Sequence, residues 1–144
     1  MEEDIKLLNA IYKNTQMGII GIDNIINDIK NKKLKATILE QRNDYQDIFL
    51  KIKSSLKSLD EDPEEISSIA KIMTYIDAKI NTFDDKSVAN IAMMMIKGSN
   101  KGIVEIEEKI NDYQGENKNI LNLAKELLRI ENKNINSLKK YLNN

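Results

Sequence analysis

The chain has 144 residues, 31% of them charged, yet 22 basic and 23 acidic side chains leave a formal net charge of only −1. A chain of this size can bury the core of one ordinary domain, and its even charge gives no electrostatic footprint for nucleic acid or an anionic membrane. Cysteine and histidine are both absent, which removes disulfides, thiolate metal sites, the commonest general base and the commonest transition-metal ligand. A Ser-His-Asp triad, a zinc-protease motif and a Glu-x-x-His metal site are therefore all excluded.

Met1-Glu2-Glu3-Asp4 lacks the positive and apolar regions of a signal peptide. The most apolar stretches, Ile19 to Ile29 and Val88 to Ile96, fall short of the roughly 20 residues that a membrane helix needs. A cytoplasmic location is the expectation. Heavy use of Ile, Asn and Lys fits an AT-rich bacterial genome.

One proline and five glycines leave few places to stop a helix. Between the breaks, apolar residues recur at helical spacing, and periodicity overrules the β-propensity of the abundant isoleucine. The first helix is expected over about 3–30, with Ile5, Leu8, Ile11, Ile19, Ile22, Ile26 and Ile29 on one side. Lys30, Lys32 and Lys33 around the break at Asn31 suit the dipole at its end. The second is expected over 33–59, with Leu34, Ile38, Tyr45, Ile48, Phe49, Ile52 and Leu56 facing inward.

Asp62-Pro63-Glu64-Glu65 supplies an N-cap, a proline at the first position and an acid two positions later. It opens a shorter amphipathic segment over 64–81. A fourth helix is expected over 85–113, capped by Thr82 or Asp84, with Val88, Ile91, Met95, Ile103, Ile106 and Ile110 inward. Gly115 suits a left-handed C-terminal residue, and Asn117 caps a last helix over 117–142.

Four long helices of about 25 residues would each span roughly 38 Å. Short turns after the first and fourth demand two antiparallel hairpins. The connection between the hairpins is too long for a turn and carries its own short helix. The expected fold is thus all-α, a single domain over 1–144 arranged as a four-helix bundle with one long crossover, the ferritin-like topology. An up-down five-helix bundle is the rival, and periodicity does not separate the two.

Helical wheels place polar side chains among the apolar faces. Glu131 lies at the centre of the last helix's stripe, between Leu127 and Ile135, with Asn134 at its edge. Ser99 falls inward between Met95 and Ile106, with Gly102 beside it, and folding the hairpin about Gly115 sets 99 across from 131. In the first hairpin Thr15 interrupts the inner face, Gln41, Arg42 and Tyr45 lie on or near it, and Gly18 falls opposite Tyr45. Thr15, Gln41, Arg42, Tyr45, Ser99, Glu131 and Asn134 are therefore expected to form one mid-bundle layer. In it Glu131 is expected either to reach solvent or to pair with Arg42 and accept the Tyr45 hydroxyl.

The segment Asp85-Lys86-Ser87-Val88 through Met94-Met95-Ile96-Lys97-Gly98-Ser99, set in this architecture, resembles the ferritin-like superfamily. The likeness is nearest to its clostridial members that lack the metal ligands. Metal-binding proteins of that superfamily carry inward Glu on two helices and Glu-x-x-His on the other two. Here Glu131-x-x-Asn134 has asparagine in place of histidine, Glu40-x-x-Asn43 turns Glu40 outward, Glu105 lies on a flank and Asp23 is peripheral. The resemblance thus implies the fold and not the metal chemistry. No metal and no cofactor is expected, and Glu131 is the one carboxylate that a degenerate iron or manganese site could use.

Met93-Met94-Met95-Ile96 leaves apolar surface on more than one side of the fourth helix. The crossover helix can cover it; Met93, Met94 and Ile96 could alternatively meet a partner, since methionine-rich faces adapt to one. Gly18-Ile19-Ile20-Gly21 lies inside a helical pattern and is expected to serve close helix packing. With no catalytic constellation, the chain is expected not to be an enzyme. The expected role is binding to itself or to an unidentified protein, with no nucleic acid and no membrane. A degenerate metal-binding protein, or a small-ligand carrier with the polar layer as its pocket and a cavity between the hairpins, are the alternatives.

Overall fold

A computed structural model describes residues 1–61 and 86–143, which form four α-helices and contain no strand. Helix α1 spans Glu2–Ile25 and runs into a 3-10 turn at Ile26–Asp28; α2 spans Lys32–Ser58, α3 Val88–Asp112 and α4 Lys118–Lys139. The expected short helix over 64–81, its Asp62-Pro63 start and the caps Thr82 and Asp84 lie outside the described residues.

Local chemistry sets the ends. Glu2, Glu3 and Asp4 occupy the first turn of α1, where negative charge suits the helix dipole. The Asn31 side chain accepts from the Leu34 amide at 3.0 Å and starts α2. Lys32 and Lys33 thus open the second helix, and the last turn of α1 holds no basic residue. α2 ends where Asp60 turns left-handed (φ 57°), with the Glu61 amide bonded back to the Leu56 carbonyl and the Asp60 amide to that of Lys57. That is a Schellman closure made with aspartate in place of glycine.

Ser87, whose hydroxyl accepts from the Asn90 amide at 3.3 Å, starts α3. Asn117 caps α4 as expected, accepting from the Asn119 and Ile120 amides. Gly115 is not left-handed, contrary to expectation. Its hydrogen is needed for room: a Cβ there would collide with the Tyr113 ring. The Tyr113 hydroxyl donates to Asp4 and accepts from the Asn117 amide, which ties the turn to the start of α1.

The helices close on themselves in the order α1, α2, α4, α3 around the bundle, and α1 and α4 also meet across the diagonal. Cross-helix contacts give the directions. Asp23 meets Arg42 between α1 and α2. Asn14 meets Gly102 between α1 and α3. Thr37 meets Tyr141, and Lys51 meets Glu126, where α2 runs beside the α4 segment. Both neighbours of α1 run antiparallel to it, so α2 and α3 run the same way, and α4 runs with α1.

The core follows the expected stripes: Leu8, Ile11, Ile22, Leu34, Ile38, Ile48, Ile52, Leu56, Leu127 and Leu138 are fully buried. Each such side chain contributes about 1.5–3 kcal/mol through burial. Among the described residues no helix is long and apolar enough to cross a membrane.

Candidate functional site

The inward stripe of α2 carries Ile38, Gln41, Tyr45, Ile48 and Ile52, so Tyr45 points into the bundle halfway along the helix. Its ring rests on Gly18 of α1, where a Cβ would come within 2.9 Å of the ring carbons. Its hydroxyl donates to Oε1 of Glu131 on α4, in the opposite hairpin. Glu131 is only 3% exposed. Its Oε2 lies against Gly102 of α3, where a Cβ would stand 2.5 Å away.

Further polar groups complete the layer. Ser99, one turn before Gly102, is buried, and Thr15 donates to the Ile11 carbonyl at 2.7 Å within its own helix. Gln41 Nε2 donates across the hairpin interface to the Asn134 carbonyl at 3.3 Å. Asn134 is 1% exposed, and neither its amide oxygen nor its amide nitrogen has a hydrogen-bond partner. Such buried orphans are uncommon in folded proteins. All four helices therefore contribute polar groups to one layer at mid-bundle.

Burial sets the electrostatics. The Glu131 carboxyl is pushed up to about 7 because its charged form is desolvated, and the bond from Tyr45 offsets only part of that rise. The Tyr45 phenol is raised well above its ordinary range, first by burial and then by the adjacent Glu131 charge. Ser99 and Asn134 lie close enough to the phenol oxygen to counter some of this, although the Asn134 amide completes no hydrogen bond of good geometry.

Tyr45, Ser99, Glu131 and Asn134 come together, Gln41 joins them through the Asn134 carbonyl, Thr15 is buried on α1 but bonds within its own helix, and Gly18 faces Tyr45. Arg42 does not join them. It lies outside the layer, with Nε 2.6 Å from Asp23 Oδ1, and the two side chains are 33% and 50% exposed. Three residues before Tyr45 on a helix is a turn of about 60° away from its direction, enough to send a long guanidinium to the edge. Glu131 is therefore not paired with Arg42. Gly21, unlike Gly18, approaches nothing.

On α3, Met93 is 38% exposed, but Met94 and Ile96 pack against the core, so the three do not form one open face. Asn14 was not anticipated. Its Nδ2 donates to the Gly102 carbonyl at 3.3 Å, beside Glu131. The signal available was its place next to inward Thr15, facing a glycine whose backbone no side chain covers.

The donor set does not suit the two metal ions of the superfamily that the sequence resembles. Among the described residues no three acidic, histidine or cysteine side chains converge. Glu40, Glu105 and Asp23 are exposed, which leaves Glu131 alone with a phenol, a hydroxyl and an amide. One oxygen of that carboxylate accepts from Tyr45 and the other abuts the Gly102 backbone. No step is assigned to a metal here.

A separate cleft of about 420 Å³ opens at one end of the bundle, between the α1–α2 turn and the start of α3. Ile29, Lys30, Leu34, Lys86 and Val88 are among its walls. Asp28 and Lys86 pair there at 3.5 Å. Compared with known proteins, the chain matches no family model, no curated protein and no solved structure.

Proposed function

We propose that the chain is a ferritin-like bundle without metal chemistry, a bacterial cytoplasmic protein that works by binding at its surface, to a second copy of itself or to a protein partner. The ferritin-like assignment is supported by the helix directions, up, down, down, up, with one long connection over 59–87 between two antiparallel hairpins. The observation that carries the non-catalytic reading is the filling of the mid-bundle layer. The Tyr45 ring occupies the space over Gly18, and Glu131 occupies the space over Gly102. Substrate would have to displace packed side chains to reach Glu131, the one buried carboxylate among the described residues.

Work then falls to the exterior, where Leu39, Leu50, Met93 and Val104 are exposed apolar side chains. Light scattering coupled to size exclusion, followed by crosslinking in cell extract, tests this. A mass above 16.5 kDa per particle, or a specific crosslinked protein, supports it. A monomer that crosslinks to nothing removes it.

The cleft between the α1–α2 turn and α3 favours one second reading, a small-ligand carrier. It predicts that some member of a metabolite panel raises the melting temperature, and that Val88→Trp, at the half-buried cleft wall, abolishes the rise.

A further inference from the structure

Glu131 is the only buried acidic side chain among the described residues. The groups recorded around it are uncharged: the Tyr45 hydroxyl of α2 donates to it, Gly102 of α3 and Asn14 of α1 lie at its other oxygen, and Ser99 of α3 and Asn134 of its own helix lie at the Tyr45 hydroxyl. Three basic side chains of these helices pair with other carboxylates, and no charged group is among those that shift Glu131. Arg42 holds Asp23, Lys133 holds Asp44 and Lys51 holds Glu126. A carboxylate enclosed with one phenolic donor and no counter-charge is strongly disfavoured. Either a cation must neutralise it or a proton must.

We propose that a proton is the counter-ion of this layer: Glu131 is enclosed as the neutral acid, joined to Tyr45, and its ionisation loosens the α1–α2 hairpin from the α3–α4 hairpin. The position makes the joint sensitive. Tyr45–Glu131 and Gln41–Asn134 both cross from one hairpin to the other within this layer. The neutral acid adds an O–H donor to a layer in which the Asn134 oxygen has no donor facing it. Ionisation gives the proton to solvent and leaves a charge that water must enter to solvate. The unpartnered Asn134 amide, one helical turn from Glu131, offers that water further hydrogen bonds.

The direction of the pH dependence follows. The carboxyl stands at about 7 in the folded bundle against 4.5 when exposed. Its contribution to stability is thus fully present below about 4.5 and is lost as pH rises through about 7. This inference does not depend on what the surface binds.

The test compares wild-type protein with Glu131→Gln by denaturant unfolding at pH 5.5 and 8.5, at fixed ionic strength. On raising the pH, the wild-type unfolding constant should increase more than that of the variant, by on the order of tenfold to a hundredfold. Equal pH dependences would overturn the proposal. Should the variant not fold, an NMR titration of wild-type protein with ¹³C-labelled glutamate carries the test alone. One side-chain carboxyl should titrate near neutral pH, and at still higher pH in Tyr45→Phe, because the Tyr45 bond is what holds it down. All glutamates titrating in the ordinary range would overturn the proposal. So would a melting temperature at pH 8.5 that Mn²⁺ raises in wild type and not in Glu131→Gln, which would give the counter-charge to a metal ion.

Discussion

Arg42 and Tyr45 stand three residues apart on α2, and each holds a carboxylate of another helix. Arg42 grips Asp23 of α1 through two nitrogens, at 2.6 and 3.1 Å, in the open. Tyr45 donates a single bond to Glu131 of α4, out of contact with water. On paper the charged, two-pronged pair is the stronger contact. Solvent reverses the order. Water and salt screen the exposed pair, and its two long side chains lose rotamer freedom to make it. The buried pair has nothing to replace it if either partner leaves, so its loss strands a polar group in the core. The exposed pair also lies within one hairpin, whereas the buried one joins two.

Four substitutions separate these contributions. Tyr45→Ala should have the largest effect, about 3–5 kcal/mol of lost stability, since a large buried ring is removed over Gly18; chemical denaturation measures it. Gly102→Ala should cost about 1–3 kcal/mol, because the new methyl needs the space that Glu131 Oε2 occupies. A stabilised Gly102→Ala protein would mean that Glu131 is free to swing away.

Tyr45→Phe keeps the ring and removes the donor, at about 1–2 kcal/mol. The loss should be greater at pH 8.5 than at 5.5, because the bond matters most to the ionised carboxylate. Arg42→Ala should be smallest, below about 1 kcal/mol, and should vanish in molar salt. If Arg42→Ala proved as damaging as Tyr45→Phe, the contrast between exposed and buried contacts would fail.

Much of this layer was legible in the residues. Glu131 falls between Leu127 and Ile135 on a largely apolar stripe, so its direction towards the bundle is legible, whereas its exclusion from solvent depends on the other helices. Gly18 and Tyr45 could be matched because the short turn at Asn31 fixes the register of the first hairpin. Arg42 was harder. A wheel assigns it to the border of the inner face, and only the presence of Asp23 at the right height on α1 turns it out. Asn14 was missed for the same reason, since its partner is a backbone carbonyl that becomes reachable only when α1 lies beside α3.

The turns show the same division. Asn31 and Asn117 act through atoms two or three residues away, so their capping roles follow from sequence. Gly115 does not, because the ring that crowds it is anchored to Asp4 at the far end of the chain.

By itself, then, the sequence determined that the described residues are helical, roughly where their four long helices lie, and which face of each is buried. Those properties depend on periodicity and on bonds between near neighbours. The tertiary structure decided which carboxylate is solvated and which is not, because that depends on what three other helices bring to the same height. Asp23 and Glu131 carry the same functional group on helices of similar make-up. Only the packing leaves one beside a guanidinium in water and the other beside a phenol in the core.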